Sequence, residues 1–336
     1  MEYTILGKTG LKISRLGFGG IPIQKIDAEG TRKLVEQMVQ SGVNFIDTAR
    51  AYTVSEEYLG KALKGFRDKF VLATKCRAES KKQFAEAIDT SLKMLQTDYI
   101  DLYQFHNPSM EVFDSIVAPG GALEAMLEAK EAGKIGHIGI TAHSVEVFRR
   151  ALETDWVETV MFPYNIVESQ GADLIAACKE KNIGFITMKP MAGGAIEDTN
   201  LALRYVLSNP AVTVAIPGMA EVEELEKNIA ASSNTAPLSE EELKACEQVR
   251  AQLGNDFCRR CNYCAPCTAG INIPSAFLFA GYLNRYGLAD WAKDRYNAMP
   301  VKADACVDCG ECEPRCPYHL PIRKKLKEVA AAFAAR

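Results

Sequence analysis

Between Lys12 and about Ala230, short apolar runs alternate with amphipathic stretches, and the alternation repeats eight times. Residues 13–18, 44–47, 70–74, 99–105, 135–141, 159–162, 184–188 and 213–216 read as strands bounded by polar or turn-forming residues. Helices are expected near residues 31–40, 56–63, 82–95, 122–132, 145–152, 172–181, 199–207 and 222–230. In the third of these, Phe84, Ile88, Leu92 and Leu95 fall on one face at helical spacing. Eight strand–helix units predict an α/β protein of the (β/α)8 TIM-barrel type. An open doubly wound sheet is the alternative, and it more often leads with a glycine-rich phosphate loop. The segment LGFGG (Gly17, Gly19, Gly20) lacks the third glycine of G-x-G-x-x-G, which favours the closed barrel.

A further helix is expected over residues 239–253, with Ser239 as N-cap and Glu242 three positions on, a capping-box pair. Beyond it the pattern changes. Eight of the 11 cysteines form two runs, Cys258, Cys261, Cys264 and Cys267 in CRRCNYCAPC, then Cys306, Cys309, Cys312 and Cys316 in CVDCGECEPRCP. The second run has the C-x2-C-x2-C-x3-C-P spacing of bacterial-type ferredoxins, whose thiolates hold [4Fe-4S] clusters. Two runs of four predict two [4Fe-4S] clusters. In two-cluster ferredoxins the last cysteine of each run serves the other cluster. That rule groups Cys258, Cys261, Cys264 and Cys316 around one centre, and Cys306, Cys309, Cys312 and Cys267 around the second. The first run departs from the pattern in its last spacing and in Thr268, which stands where a proline is expected. Zinc is the competing metal, since C-x2-C pairs also build tetrahedral sites, but the triple spacing suits a cubane better. The aromatic stretch between the runs (Phe277, Phe279, Tyr282, Tyr286, Trp291, Tyr296) reads as helical cover for the clusters rather than an electron path. Cys76, Cys178 and Cys246 read as packing residues, with Cys76 set beside Lys75.

A chain of 336 residues accommodates a barrel of about 250 residues and a module of about 80. The expected division is a barrel over residues 1–235, a connecting helix over 236–254, and a mostly helical, ferredoxin-like two-cluster domain over 255–336. Net charge of −4 gives no reason to expect nucleic acid. Residues 255–336 carry 12 Lys+Arg against 8 Asp+Glu, a basic excess that net-negative four-thiolate clusters would offset. No apolar run approaches the roughly 18 residues of a membrane span, and the start lacks a signal peptide's uninterrupted apolar stretch. The expectation is a cytoplasmic protein without membrane or nucleic-acid partners, whose clustered cysteines ligate metal instead of forming disulfides.

Barrel enzymes place their chemistry at the C-terminal ends of strands. Asp47 and Tyr52 lie in NFIDTARAY, Lys75 ends FVLATK, and His106 ends DYIDLYQFH. These segments, with the opening YTILGKTGLKISRLGFGG, resemble the aldo-keto reductase family from Met1 to about Ala231. The whole chain resembles the subgroup with a C-terminal ferredoxin-like domain. The resemblance implies a nicotinamide-dependent oxidoreductase acting on a carbonyl or alcohol, with Asp47, Tyr52, Lys75 and His106 as its catalytic tetrad. Tyr52 would protonate the developing alkoxide, since a nearby Lys75 ammonium lowers a phenol's ordinary pKa of about 10. Asp47 would hold Lys75, and His106 would hydrogen-bond the carbonyl oxygen. The bland alternative is a buried Asp–Lys pair that only supports the barrel mouth.

The resemblance also implies an NAD(P)H pocket at Gly20, Thr141, Met188, Lys189, Gly218, Glu224 and Asn228. Met161 stands where a Gln usually holds the nicotinamide, and Met188 where an aromatic does. In IPGMAEVEELEKN, Gly218, Met219 and Glu224 replace the usual basic and hydroxyl residues, while Asn228 is kept. A Glu near the ribose repels a 2′-phosphate and accepts a free hydroxyl, so NADH is expected to serve at least as well as NADPH; Lys189 is the alternative phosphate partner. Substrate specificity is assigned to the 107–121 loop and to the tail itself, with Met110 and Phe113 as lining or, more plainly, packing residues. Nicotinamide moves electron pairs and a cluster moves single electrons. The tail is therefore open to electron transfer with a ferredoxin- or flavodoxin-type partner, to redox sensing, or to a structural role. A non-catalytic redox-sensing or electron-carrier docking protein on a retained barrel is the competing function.

Overall fold

The computed structural model describes residues 1–77 and 80–335. The chain forms two compact units. The first comprises Met1–Asn165, Ser169–Met191 and Asp198–Ser239, and the second Ile166–Glu168, Ala192–Glu197 and Glu240–Arg336.

In the first unit an antiparallel hairpin, β1 (Tyr3–Ile5) and β2 (Lys12–Ser14), precedes eight parallel strands. These are β3 (Phe18–Gly19), β4 (Phe45–Asp47), β5 (Val71–Cys76), β6 (Ile100–His106), β7 (Ile135–Thr141), β8 (Thr159–Pro163), β9 (Gly184–Met188) and β10 (Val214–Ile216). They pair in chain order, and bridges Leu16↔Ala215 and Gly19↔Gly218 join the last strand to the first. The result is the expected (β/α)8 barrel. Expected strand 13–18 divides in two: its first half belongs to the hairpin, and the barrel keeps only Phe18–Gly19 as a named strand. The halves have different partners: Lys12–Ser14 pairs antiparallel with Tyr3–Ile5, and Phe18–Gly19 pairs parallel with Ile46 and Asp47. Ser14 N donates to Asn44 Oδ1 at 2.6 Å, a side-chain bond where a ladder bond would otherwise run.

Among the described residues, nine α-helices follow in this unit: α1 (Ala28–Ser41), α2 (Ser55–Ala62), α3 (Lys81–Leu95), α4 (Met110–Val117), α5 (Ala122–Glu131), α6 (Val145–Ala151), α7 (Ala172–Glu180), α8 (Thr199–Leu207) and α9 (Val222–Ser232). Several start at side-chain caps: Asp27 accepts from Gly30 N, Ser109 from Val112 N and Asp198 from Leu201 N. The α4 helix was not among the expected elements. It crosses the 107–121 loop because Ser109 caps it and because Phe113 and Ile116, one turn apart, are both buried. Phe113 packs against Trp156 in the core, which settles it as a packing residue.

Strand alternation divides the apolar residues into two sets. Ile46, Leu72, Tyr103, Phe105, Ile138, Ile140, Val160, Phe162 and Phe185 belong to the large cluster shared with the helices. Phe45, Val71, Ala73, Leu102, Met161, Ile186, Val214 and Ile216 form a separate cluster with Leu6 and Ile13, which fills the barrel interior. Cys76, Cys178 and Cys246 are buried, and burial pushes the Cys178 thiol up to about 12.

Glu158 ties the N-terminal side of β8 to its neighbours. It accepts from His137 Nδ1 and Lys130 Nζ, each at 2.6 Å, and from Ile138 N at 3.0 Å. Burial alone would raise its pKa, but these donors together outweigh burial and bring it from 4.5 to about 2. A carboxylate depressed in the folded state stabilises above its unfolded pKa and loses that contribution as pH falls. Glu158→Gln is therefore expected to cost up to about 3 kcal/mol near neutrality. The deficit should close as pH drops from about 4.5 to about 2. Urea unfolding of both proteins across that window checks it.

The second unit holds α10 (Glu240–Leu253), α11 (Ile273–Asn284), α12 (Ala289–Asn297) and α13 (Ile322–Ala334), with the cysteine runs in its loops. The α10 helix begins at the residue after Ser239, where the capping-box pattern places it. Ile271, Ile273, Ala276, Tyr296, Met299, Leu320, Leu326 and Val329 build a core that includes Cys264, Cys312 and Cys316. Tyr296 stacks on Phe333 with ring centroids 3.9 Å apart, and its hydroxyl accepts from Ala303 N at 3.0 Å. Phe277 and Phe279 pack against this core, while Tyr282 touches Phe279, Tyr286 and Trp291. The aromatic stretch therefore serves as packing, as its composition implies.

Candidate functional site

The pleat decides which strand residues face the barrel's interior. Phe45 and Ala73 belong to the interior cluster, so Asp47 and Lys75, each two residues on, share that face. Leu102 carries Gln104 and His106 inward by the same rule, and Met161 is itself inward. Register then brings them level: Lys75 pairs with Gln104, His106 with Thr141, and Thr141 with Met161. Four of the expected residues thus meet near one rim.

Lys75 and Asp47 form a buried ion pair, each side chain 3% exposed. Lys75 Nζ also donates to Thr48 O at 2.9 Å, and Gln104 Nε2 donates to Asp47 Oδ1 at 3.1 Å. Burial pushes the Asp47 carboxyl up and the Lys75 ammonium down, and each opposes the other's shift. Tyr52 lies past β4 in the turn that leads to α2, where its N donates to Ala49 O at 3.0 Å. Its ring centroid is 5.2 Å from Lys75 Nζ and 6.2 Å from the His106 ring, which meets it edge to face at 90°. Tyr52 and His106 are half-buried, so the site opens outward.

Breaking the ion pair leaves a buried charge behind. Lys75→Met is expected to destabilise the barrel by about 3–5 kcal/mol near pH 8. Asp47, whose carboxyl burial already raises, can take a proton as pH falls, so the penalty should shrink towards pH 5. Thermal unfolding at both pH values reads the difference.

The surroundings contain residues that the sequence reading passed over. Glu56, 2% exposed on α2, pairs with Arg50 and accepts from Thr74 Oγ1 at 2.7 Å. Arg50 N in turn donates to Lys75 O at 3.0 Å, so this network braces the strand end that presents the lysine. Gln104 had a legible signal, namely its inward parity two residues before His106. Glu56 had none, because a glutamate at a helix's second position normally faces water. Thr53, Asn107 and Lys189 adopt positive φ, at 39°, 51° and 56°. Each directly follows an expected site residue (Tyr52, His106, Met188), and strained backbone of this kind collects at functional sites. Asn107 N donates to Thr141 Oγ1 at 2.9 Å, and its Oδ1 accepts from His143 N at 3.0 Å, latching the ends of β6 and β7.

The expected cofactor residues are placed as follows. Thr141 is buried at the end of β7, Met188 ends β9, and Lys189 follows it, where Asn165 Nδ2 donates to Lys189 O at 3.0 Å. Gly20 sits against the end of β4: an added Cβ would lie 2.9 Å from Asp47 O and 3.1 Å from Ser55 Oγ. Gly218 bridges to Gly19, and a Cβ there would meet Pro22 at 2.8 Å. Glu224 Oε2 accepts from Ala220 N at 2.6 Å and Glu221 N at 3.2 Å, closing a capping box with Glu221 at the start of α9. Asn228 is buried on the same helix.

In the second unit the eight run cysteines ring two cavities. One is lined by Cys258, Cys261, Cys264 and Cys316, together with Arg259, Phe277 and Tyr318. The other is lined by Cys267, Cys306, Cys309 and Cys312, together with Thr268, Arg315 and Arg323. Ile273 lines both. Each cavity takes three thiols from one run and the last thiol of the other. Among the described residues, no three His, Cys, Asp or Glu side chains are gathered for a single ion. Arg260 pairs with the fully buried Glu168, and the Arg259 guanidinium lies 3.9 Å over the Tyr318 ring.

Comparison with known proteins bears on both units. Residues 257–321 match the 4Fe-4S dicluster domain. L-galactose dehydrogenase of Arabidopsis thaliana is 29% identical over 311 residues, covering 76% of this chain and 96% of that protein. Aldo-keto reductase YhdN of Bacillus subtilis is 36% identical over 189 residues, covering 51% of this chain and 56% of that one. The holo form of aldo-keto reductase AKR11C1 from Bacillus halodurans superimposes with a TM-score of 0.66 at 26% identity, covering 74% of this chain and 96% of that one. Residues 15–201 and 198–251 match the aldo/keto reductase family, so the chain is an oxidoreductase of that family with a C-terminal 4Fe-4S domain.

Proposed function

We propose that the protein transfers hydride between NAD(P)H and a small carbonyl or alcohol substrate, and that its second unit holds two [4Fe-4S] clusters. The observation that carries the enzymatic reading is the meeting of Tyr52, Lys75, Asp47 and His106 at one rim. The bound nicotinamide supplies hydride to the carbonyl carbon. Tyr52 supplies the proton that the developing alkoxide requires. The Lys75 ammonium beside its ring favours the phenolate left behind, and Asp47 and Thr48 O hold that ammonium in place. His106, whose ring meets Tyr52 edge to face, donates to the carbonyl oxygen and fixes it for protonation. A buried pair that merely supported the barrel mouth would not call for Tyr52 and His106 beside it.

The cofactor pocket favours the unphosphorylated dinucleotide. Thr141 accepts from Asn107 N, which leaves the hydroxyl proton free to meet a carboxamide oxygen. Met161 and Met188 offer polarisable apolar surface to the ring. Glu221, Glu223 and Glu224 crowd the first turn of α9, where a 2′-phosphate would otherwise find a helix N-terminus. NADH should therefore bind at least as tightly as NADPH. Fluorescence titration with both nucleotides, followed by an anaerobic carbonyl and polyol screen, tests the reading. A hundredfold preference for NADPH removes the cofactor assignment, and failure to bind either nucleotide removes the enzymatic one.

For the tail, four thiols disposed around a void fit a cubane, whose core occupies the middle. A zinc ion instead draws four sulfurs to about 2.3 Å from one point. One seat is Cys258, Cys261, Cys264 and Cys316, and the other Cys267, Cys306, Cys309 and Cys312. Because a cluster accepts single electrons, its exchange partner is a one-electron carrier of ferredoxin or flavodoxin type. Anaerobically purified protein should be brown and bleach with dithionite; a colourless preparation with stoichiometric zinc overturns the assignment.

A further inference from the structure

Position 268 is where the first cysteine run leaves the ferredoxin pattern. The second run ends Cys316–Pro317, and the corresponding pair in the first is Cys267–Thr268. A proline side chain carries no donor, whereas threonine brings one hydroxyl proton and a methyl group. Thr268 lines the cavity of Cys267, Cys306, Cys309 and Cys312. Its Oγ1 lies 3.6 Å from Cys309 Sγ and 3.2 Å from Glu311 Oε2.

We propose that Thr268 donates a hydrogen bond to the Cys309 thiolate and thereby raises the reduction potential of the cluster in that seat. The inference rests on the iron–sulfur reading above. A ligating thiolate has no proton to give, so between Thr268 and Cys309 the hydroxyl must be the donor. Reduction adds negative charge that spreads onto the sulfurs, and a donor to sulfur stabilises the reduced cluster more than the oxidised one. Glu311 competes for the same proton. Arg315 weakens that competition: its Nη2 lies 3.4 Å from Glu311 Oε2. The guanidinium is fixed there by bonds from Nε to Glu311 O and from Nη1 to Pro266 O, each at 2.9 Å. Cys309 is exposed, so the tuned sulfur lies on the solvent edge of its cluster, where an electron carrier can approach.

The test is a potentiometric titration of anaerobic full-length protein, followed by electron paramagnetic resonance, in the wild type and in Thr268→Val, Thr268→Ala and Thr268→Ser. The expected result is a downward shift of one midpoint potential in the Val and Ala variants, with the other unmoved and the Ser variant matching wild type. Assembly of this cluster in Thr268→Ser but in neither Val nor Ala also supports a hydroxyl acting on the ligand. Unchanged midpoints in Thr268→Val overturn the proposal, as does a Ser variant that shifts with Val or fails to assemble. A colourless wild-type protein removes the iron–sulfur reading and this inference with it; a brown protein with unmoved potentials removes this inference alone.

Discussion

Replacing Tyr52 with Phe is expected to lower the turnover number for a carbonyl substrate by about 10²–10⁴-fold while leaving nicotinamide affinity unchanged. That range is what a positioned proton donor contributes, and it corresponds to about 3–5 kcal/mol of barrier. The substitution removes one oxygen and nothing else. The ring keeps its edge contact with His106 and its place beside the Lys75 ammonium, so the Asp47–Lys75 pair has no reason to rearrange. A variant with full carbonyl-reducing activity would exclude the phenol as the donor. Equal loss of cofactor binding and turnover would point to collapse of the rim rather than to chemistry. Stopped-flow hydride transfer and nucleotide fluorescence, measured on the same preparation, separate these outcomes.

The second large effect is expected at Cys316. Cys316→Ser should reduce iron from about eight atoms per chain to about four, because it removes one thiolate from one cubane. Its place in the sequence, at the end of CVDCGECEPRC, associates it with Cys306, Cys309 and Cys312. Its place in the structure is the cavity of Cys258, Cys261 and Cys264. The paramagnetic signal lost in Cys316→Ser should therefore be the one lost in Cys261→Ser, and the signal retained should be the one that Cys306→Ser removes. The reverse pairing would show that each run serves its own cluster. Cys267→Ser supplies the mirror-image experiment, since Cys267 lines the other cavity.

Much of this architecture could be read from the sequence because periodicity is a direct record of burial. Eight apolar runs separated by amphipathic stretches left few choices besides the barrel, and the shared parity of Phe45, Ala73 and Leu102 carried Asp47, Lys75 and His106 inward. The cysteine spacing was equally plain, since three thiols of each run sit within a short loop's reach of one cavity while the last crosses to the other. What escaped was structure decided by partners distant in the chain. The α4 helix buries Phe113 against Trp156, and the first strand divides because its first half pairs with β1 and its second with β4. Glu56 is buried only because Arg50 and Thr74 receive it. Glu224 illustrates a different limit. A glutamate near a nucleotide loop invites a ligand role, whereas its carboxylate also closes the first turn of its own helix.

If the cavities hold clusters as proposed, the place of Cys316 among thiols that precede it by some fifty positions has a consequence for how the protein is made. While the chain is still emerging from the ribosome, the first cavity has only three of its sulfurs, and the second has only Cys267. Iron delivered at that moment would meet an incomplete coordination sphere open to water and oxygen. On the two-cluster reading, maturation would wait for the second run, Cys306 to Cys316, and loss of either centre would leave a thiol of its neighbour's run without iron.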